Sequence, residues 1–338
     1  MTNNTPPADP GSTSASESAS TGIPPICDPF TAAISGGIFG ALVGDALGVP
    51  VEFSDRSDLV AAPVRNMRSG GHWQQDAGTW SDDGGLLLSS AEALIPGYDA
   101  VRMGQSFVNW LHCCRWTARR DVFDVGSTTR IAIMQLAAGI APEKAGPDTT
   151  DSNGNGSLMR ILPVALRFHR RPAAEICDIA MRASRITHGH VRAQIACAIH
   201  CLIVVDVLHG RSVAEATLNA QEHISKVPEL PGAEIALYQR IFDPDFSKLP
   251  PEEIQSTGYV LDTLEAAVWC SLRHDHFRDT VLAAVNLGSD TDTTGCVVGG
   301  LAGVRFGIRS IPNEWLSVLP IAAELNQLVA AFADSCAP

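Results

Sequence analysis

One short stretch limits the folds open to this chain: Gly288-Ser289-Asp290-Thr291-Asp292-Thr293-Thr294-Gly295. It crowds two carboxylates and several hydroxyls between an apolar run at 282–287 and a small, apolar, helix-like run at 296–303. Acids packed this tightly beside apolar segments repel one another unless positive charge sits among them. A hard divalent cation such as Mg²⁺ or Ca²⁺, which prefers oxygen ligands, answers that need. The simpler reading is a helix start, because Asp and Thr cap helix N-termini and negative charge is favoured there. One residue suffices for a cap, however, and here there are several. A calcium-binding EF-hand loop fits at positions 1, 3, 5 and 6 (Asp290, Asp292, Thr294, Gly295) but fails at position 12. Leu301 stands there, where a bidentate Glu is required.

A second stretch, Ser81-Asp82-Asp83, has the same grammar: a hydroxyl and acids at the mouth of an apolar helix. Residues 83 and 290 are too far apart in the chain to share a local loop. If the fold joins the two stretches, four carboxylates face one another at a cost of many kcal/mol in a low-dielectric cleft. A pair of divalent metals offsets that charge, orients a hydroxylated substrate and acidifies a bound water.

Helical spacing dominates the rest. Residues 31–47 are small and apolar, which suggests a tightly packed helix with Asp45 as its one buried charge. Further helices are predicted at 86–94, 99–116, 126–140, 156–169 (with Pro163 near its start or kinking it), 172–185 and 191–209. Ser212 to Glu215 reads as a capping box opening the next. Later helices are predicted at 259–272, 277–287, 293–307 and 315–334. Residues 48–56, 63–80, 142–155 and 227–256 read as irregular. Strand signals are sparse, so the expected class is all-α, one compact domain over 27–336.

The 338 residues are 45% hydrophobic and 18% charged, enough to bury a large core. A net charge of −13 makes stable nucleic-acid binding unexpected, since phosphate contacts need Lys and Arg. Nine cysteines without a CxxC pair give no zinc ribbon, and several sit in apolar helical text, which suits a reducing, cytoplasmic setting. Residues 1–26 read as a disordered tail without a secretory signal. The longest apolar run, 195–208, holds His200 and Asp206 and reads as too short for a membrane span.

Six segments in order over about 31–307 carry a resemblance: GGIFGALVGDALGVPVEF, GTWSDDGGLLLSSAEAL, NGNGSLMRILPVAL, SRITHGH, TGYVLDTLEAAVW and GSDTDTTGCVVGGLAGVRFG. Together they resemble the ADP-ribosylglycohydrolase family, and most of all its bacterial dinitrogenase reductase-activating branch. The resemblance implies an all-helical fold around two Mg²⁺ (or Mn²⁺). The implied metal ligands are Ser81, Asp82, Asp83, Asp290, Asp292 and Thr293. The implied reaction is hydrolysis of the glycosidic bond between ADP-ribose and a protein side chain, arginine in the bacterial branch. Such a reaction needs a stabilised oxocarbenium-like centre, an activated water and a proton for the leaving group.

Two further acids are candidates for the proton work. Asp124 matches an acid near the guanidinium in the bacterial branch, or else caps the 126–140 helix. Glu52 matches a residue gating the metal site in some relatives, or else is a solvated loop acid. Asn153, Gly154, Asn155, Gly156 and Ser157 form a Gly-rich turn whose N–H groups suit a diphosphate; it lacks the Lys of a P-loop. His188 matches a ligand-proximal His and Tyr259 an aromatic covering the ligand, with capping and core packing as the competing readings. Asp45 either supports the site through hydrogen bonds or caps a helix end. Three departures stand out. Ser81 replaces the usual Thr with its hydroxyl kept, Gly84-Gly85 is expected to loosen the helix start, and Ser127 replaces an Asn beside Asp124, which bears on arginine preference. A non-catalytic ADP-ribose-binding relative is the rival class.

Overall fold

The computed structural model describes Met1, residues 28–228 and residues 230–337; the expected disordered tail lies almost wholly outside them. The described residues are helical, with no strand and only two isolated backbone bridges. The first half holds α1 (Pro29–Gly48), α2 (Arg56–Ala61), α3 (Asp82–Leu94), α4 (Ala100–Cys113), α5 (Ser127–Ala137), α6 (Pro142–Ala145), α7 (Leu162–Phe168) and α8 (Ala173–Arg185). The second holds α9 (Val191–Leu208), α10 (Val213–Ile224), α11 (Gly232–Ala236), α12 (Val260–Arg273), α13 (Phe277–Val285), α14 (Thr291–Phe306), α15 (Asn313–Leu316) and α16 (Ala323–Cys336). The all-α expectation holds.

The organising contact is between α1 and α14. Both carry glycine at every fourth position, so each has one face without side chains. Gly36, Gly40 and Gly44 meet Gly303, Gly299 and Gly295 in reverse order, which makes the pair antiparallel. A Cβ added at Gly44 would lie 1.9 Å from the Gly295 carbonyl oxygen, so the two backbones touch directly. Dispersion between backbones replaces side-chain interdigitation. The close approach brings Gly48 against Asp292 and so sets the acidic end of α14 beside the end of α1.

Helices α1 and α9 are apolar all round and lie in the core, as such helices must. Pro29–Val51 and α9 are each long and apolar enough to cross a membrane. Because α9 runs over 18 residues rather than 195–208 alone, length does not exclude it; its burial inside the protein marks it as a core helix.

Several boundaries differ from expectation. The helix predicted at 156–169 forms only from Leu162, with turns before it and Pro163 in the first turn, where a missing N–H costs nothing. The predicted 315–334 helix is broken into α15 and α16. Pro320 lies in the break, and proline cannot donate the hydrogen bond a continuous helix needs. Residues 99–116 stop being helical at Cys113 because Cys114 is left-handed, φ 54°. Short helices α6 and α11 form within stretches read as irregular, and α2 forms between two of them. The capping box at Ser212 and Glu215 is present in both halves. Gly84 and Gly85 do not loosen α3. They are buried in regular helix, and a Cβ at Gly85 would lie 2.3 Å from the Trp110 ring nitrogen, so the glycines make room for indoles.

Candidate metal centre and active site

The two acidic stretches meet. Ser81 caps α3, accepting from the Asp83 N–H (3.2 Å) and donating to Asp83 Oδ2 (2.9 Å). Thr293, in the first turn of α14, donates to the same Asp83 oxygen (3.3 Å). Helix α14 starts at Thr291, two residues before the predicted start. Asp290 is thus its N-cap residue, and Asp292 and Thr293 lie in its first turn. The N-termini of α3 and α14 therefore converge, and their dipoles favour the negative charge gathered there.

Asp45 serves this junction from α1. Its carboxylate accepts from the Ser81 N–H (3.0 and 3.1 Å) and the Gly84 N–H (2.8 Å), tying the start of α3 to the helix that packs on α14. Asp290 is held on the other side. Its Oδ2 accepts from Asn155 Nδ2 (2.8 Å), which also donates to Thr263 Oγ1 (2.9 Å). The loop before α14 is anchored by the Arg56 guanidinium, which donates to the carbonyls of Leu287, Ile254 and Pro251.

What is left over is informative. Asp83 Oδ1, Asp290 Oδ1 and Asp292 Oδ2 are buried and have no hydrogen-bond partner. Buried carboxylate oxygens without partners are costly, and all the donors gathered here are oxygens. One oxygen each from Asp45, Asp83 and Asp292 lie within 4.8 Å of one another, as do oxygens from Glu52, Asp124 and Asp292. Burial, followed by repulsion from neighbouring acids, pushes the carboxyls of Asp82, Asp83 and Asp292 well above the usual range. Asp45 is pushed to about 7 by burial, despite the N–H groups it accepts from. The donor set fits a hard divalent cation, which would satisfy the orphaned oxygens and cancel the repulsion together.

Above the junction is a cavity of about 230 Å³. Asp82, Asp290 and Thr293 line it, together with Glu52, Asp124, Ser127, Gly154, Asn155, Gly156 and His188. Ser81, Asp83, Asp292 and Asp45 are not among its lining residues. Glu52 is buried rather than solvated, with Trp73 Nε1 donating to its Oε2. Its carboxyl is pushed to about 9, by burial first and Asp124 second. Asp124 does not cap α5. Gly126 occupies the cap position without a side-chain bond, while Asp124 sits at φ 57° and faces Glu52 and Asp292. Burial raises its carboxyl to about 6.

The Gly-rich turn divides. Gly154, Asn155 and Gly156 line the cavity, and Gly154 bridges Tyr259 through backbone bonds Val260 N–H to Asn153 O and Asn155 N–H to Gly258 O. Asn153 donates to the Thr150 carbonyl, and its own Oδ1 is buried without a partner. The Ser157 hydroxyl turns to the core, accepting from Ser184 Oγ (2.9 Å). His188 is buried, with Nδ1 on Thr187 Oγ1 (3.0 Å). The Tyr259 hydroxyl accepts from Arg192 Nη1 (2.9 Å), and the ring is not among the lining residues.

Sequence reasoning missed Trp73 and the aromatic run it belongs to. Phe53, His72, Trp73 and Phe123 touch in series at centroid distances of 5.1, 4.7 and 5.7 Å, the first two contacts edge-to-face, beside the two acids. An indole within a Gly-rich loop was the available signal.

The sequence profile of the ADP-ribosylglycohydrolase family matches residues 28–338. The chain belongs to that family. An ADP-ribosylarginine hydrolase of Serratia proteamaculans is 29% identical over 295 residues, covering 87% of this chain and 76% of its own length. The ADP-ribosyl dinitrogen reductase glycohydrolase of Rhodospirillum rubrum is 29% identical over 296 residues, covering 86% of this chain and 90% of its own. A solved structure described as an ADP-ribosylglycohydrolase-related protein complex matches with a TM-score of 0.76 at 30% identity. It covers 91% of this chain and 99% of that one. The protein is thus an ADP-ribosylglycohydrolase-family hydrolase, and the buried acidic cluster is where such a family member can hold metal.

Proposed function

We propose that the protein hydrolyses the N-glycosidic bond between ADP-ribose and an arginine side chain of a modified protein, using two Mg²⁺ (or Mn²⁺). The observation that carries this reading is the set of orphaned, buried carboxylate oxygens where α3 and α14 converge. Ser81, Asp82, Asp83, Asp290, Asp292 and Thr293 are the residues that would hold the ions. When bound, the ions supply Lewis acidity to the substrate's ribose hydroxyls and to water.

The remaining work falls to the chain's own groups. Carboxylate oxygens of Glu52 and Asp124 lie within 4.8 Å of one another, and burial raises Glu52 to about 9 against about 6 for Asp124, so Glu52 is the one that keeps a proton. A pair split in this way provides an acid for the leaving nitrogen and a base for water. The cavity-lining backbone of Gly154 to Gly156 suits the diphosphate. Support for arginine comes from the acids on the cavity wall, Asp124 among them, whose carboxylates suit a guanidinium cation. The named arginine hydrolase relative points the same way. Ser127, on the cavity wall, favours a second reading in which the linkage is to serine, nucleic acid or a small molecule. A cytoplasmic setting accords with the eight described cysteines, all free.

The test is a panel of mono-ADP-ribosylated arginine, serine and nucleic-acid substrates with and without chelator. We expect Mg²⁺-dependent release of ADP-ribose from arginine. Undiminished release after exhaustive chelation removes the metal reading. Binding of ADP-ribose without turnover on any substrate leaves a non-catalytic relative.

A further inference from the structure

His188 faces the cavity, yet its other ring nitrogen leads into the core, where a buried arginine waits. Arg160 is fully buried, with its guanidinium 4.5 Å over the Phe107 ring. Its Nη2 donates to the Ala183 carbonyl (3.1 Å) and to Thr187 Oγ1 (2.6 Å). Thr187, also fully buried, touches His188 Nδ1 through that same oxygen at 3.0 Å. The chain of contacts runs from guanidinium to hydroxyl to imidazole.

We infer that Arg160 and Thr187 are positioning residues that lock His188 in the tautomer carrying its proton on Nε2, presenting a neutral hydrogen-bond donor to an anionic oxygen of the ligand. The argument is one of donor counting. A guanidinium can only donate, so Thr187 Oγ1 accepts from Arg160. The Thr187 hydroxyl proton then needs an acceptor, and His188 Nδ1 is the one it has. If Nδ1 carried the proton instead, the Thr187 hydroxyl proton would be buried without a partner, which is unfavourable. Nδ1 is therefore the acceptor and Nε2 bears the hydrogen.

The direction of that hydrogen matters. A Cβ built on Gly154 would lie 3.6 Å from His188 Nε2, and one on Gly156 3.3 Å from it. Nε2–H therefore lies against the glycine turn whose N–H groups suit a diphosphate. The opposite tautomer would aim a lone pair at the same place and repel an anion. Burial and the Arg160 charge also hold the imidazole down to about 3, so the donor stays uncharged. Burial lowers Arg160 only to about 10, so the relay's origin stays a cation.

The diphosphate half of this inference rests on the proposed function, whereas the tautomer does not. Nitrogen-15 NMR on histidine-labelled protein, with His188→Gln to assign the signal, reads the tautomer without ligand. ADP-ribose titration reads the consequence. We expect an Nε2–H signal in wild type, its loss or mixing in Thr187→Val, and restoration in Thr187→Ser. ADP-ribose binding should weaken about tenfold in Thr187→Val and recover with Ser. An Nδ1–H signal in wild type, or an unchanged tautomer and affinity in Thr187→Val, overturns the relay. Failure of wild type to bind ADP-ribose, with the tautomer as expected, overturns the ligand assignment and the proposed function while the relay stands.

Discussion

Asp292 shows how one side chain serves two groups of acids. It is fully buried, belongs to both carboxylate triads, and leaves Oδ2 unpaired. Asp292→Asn keeps the volume and removes the charge, so metal-stimulated release of ADP-ribose should fall at least about a hundredfold, measured against added Mg²⁺. Unchanged Mg²⁺ dependence would remove Asp292 from the ligand set. Trp73 acts at one remove, holding Glu52 by a single indole N–H. Trp73→Phe keeps the ring and loses that bond, so kcat should drop about tenfold with little change in thermal stability. Comparable loss of stability would make Trp73 a packing residue instead. Asp124 and Glu52 were legible as acids of interest through the family resemblance, which each matches by position. Trp73 was not, because hydrogen-bond partners across residues 52 and 73 are chosen in space.

At the scale of elements, the site depends on two glycine-faced helices approaching backbone to backbone. Gly44→Ala puts a methyl group against the Gly295 carbonyl, where neither backbone can yield, and should cost about 3 kcal/mol or more, or prevent folding. Gly232→Ala is the control. It lies at the start of exposed α11 with open space around its Cβ position, and should be neutral or stabilising by about 0.4–1 kcal/mol. Denaturant melts of the two variants check both signs, and equal stability would mean α1 and α14 do not pack as described. The glycines themselves are readable in the chain, as are the helices that carry them. Their antiparallel partnership is not, because a glycine face fits any equally bare face and only the assembled bundle selects one. Helix ends were misjudged where a local residue decided them: Cys114 in the left-handed region, Pro320 between α15 and α16.

For the whole molecule, the buried acids link stability to pH and to metal. Without a cation, Asp45, Asp124 and Glu52 have folded-state values raised to about 7, 6 and 9. A raised carboxyl binds more protons folded than unfolded, so its contribution is present below the unfolded value near 4 and is lost as pH rises through the folded value. The metal-free protein should therefore melt at falling temperature from about pH 5 to pH 8. Mg²⁺ favours the ionised forms and should flatten that slope, with its stabilising effect growing as pH rises. Thermal scans with Mg²⁺ and with chelator across this range decide the matter. A metal effect that shrinks with pH would contradict a carboxylate site.

The sequence alone determined the helical class, the two acidic stretches, and the kind of cation their oxygens would suit, because periodicity and donor chemistry are local properties. Tertiary structure alone decided that Asp83 and Thr293 share a hydrogen bond, that Asp124 faces Glu52 rather than capping α5, and that Arg160 reaches His188 through Thr187. Each of these joins groups distant in the chain or turns a side chain one way out of several. The energy that chooses comes from burial and partner geometry, which exist only once the helices have packed.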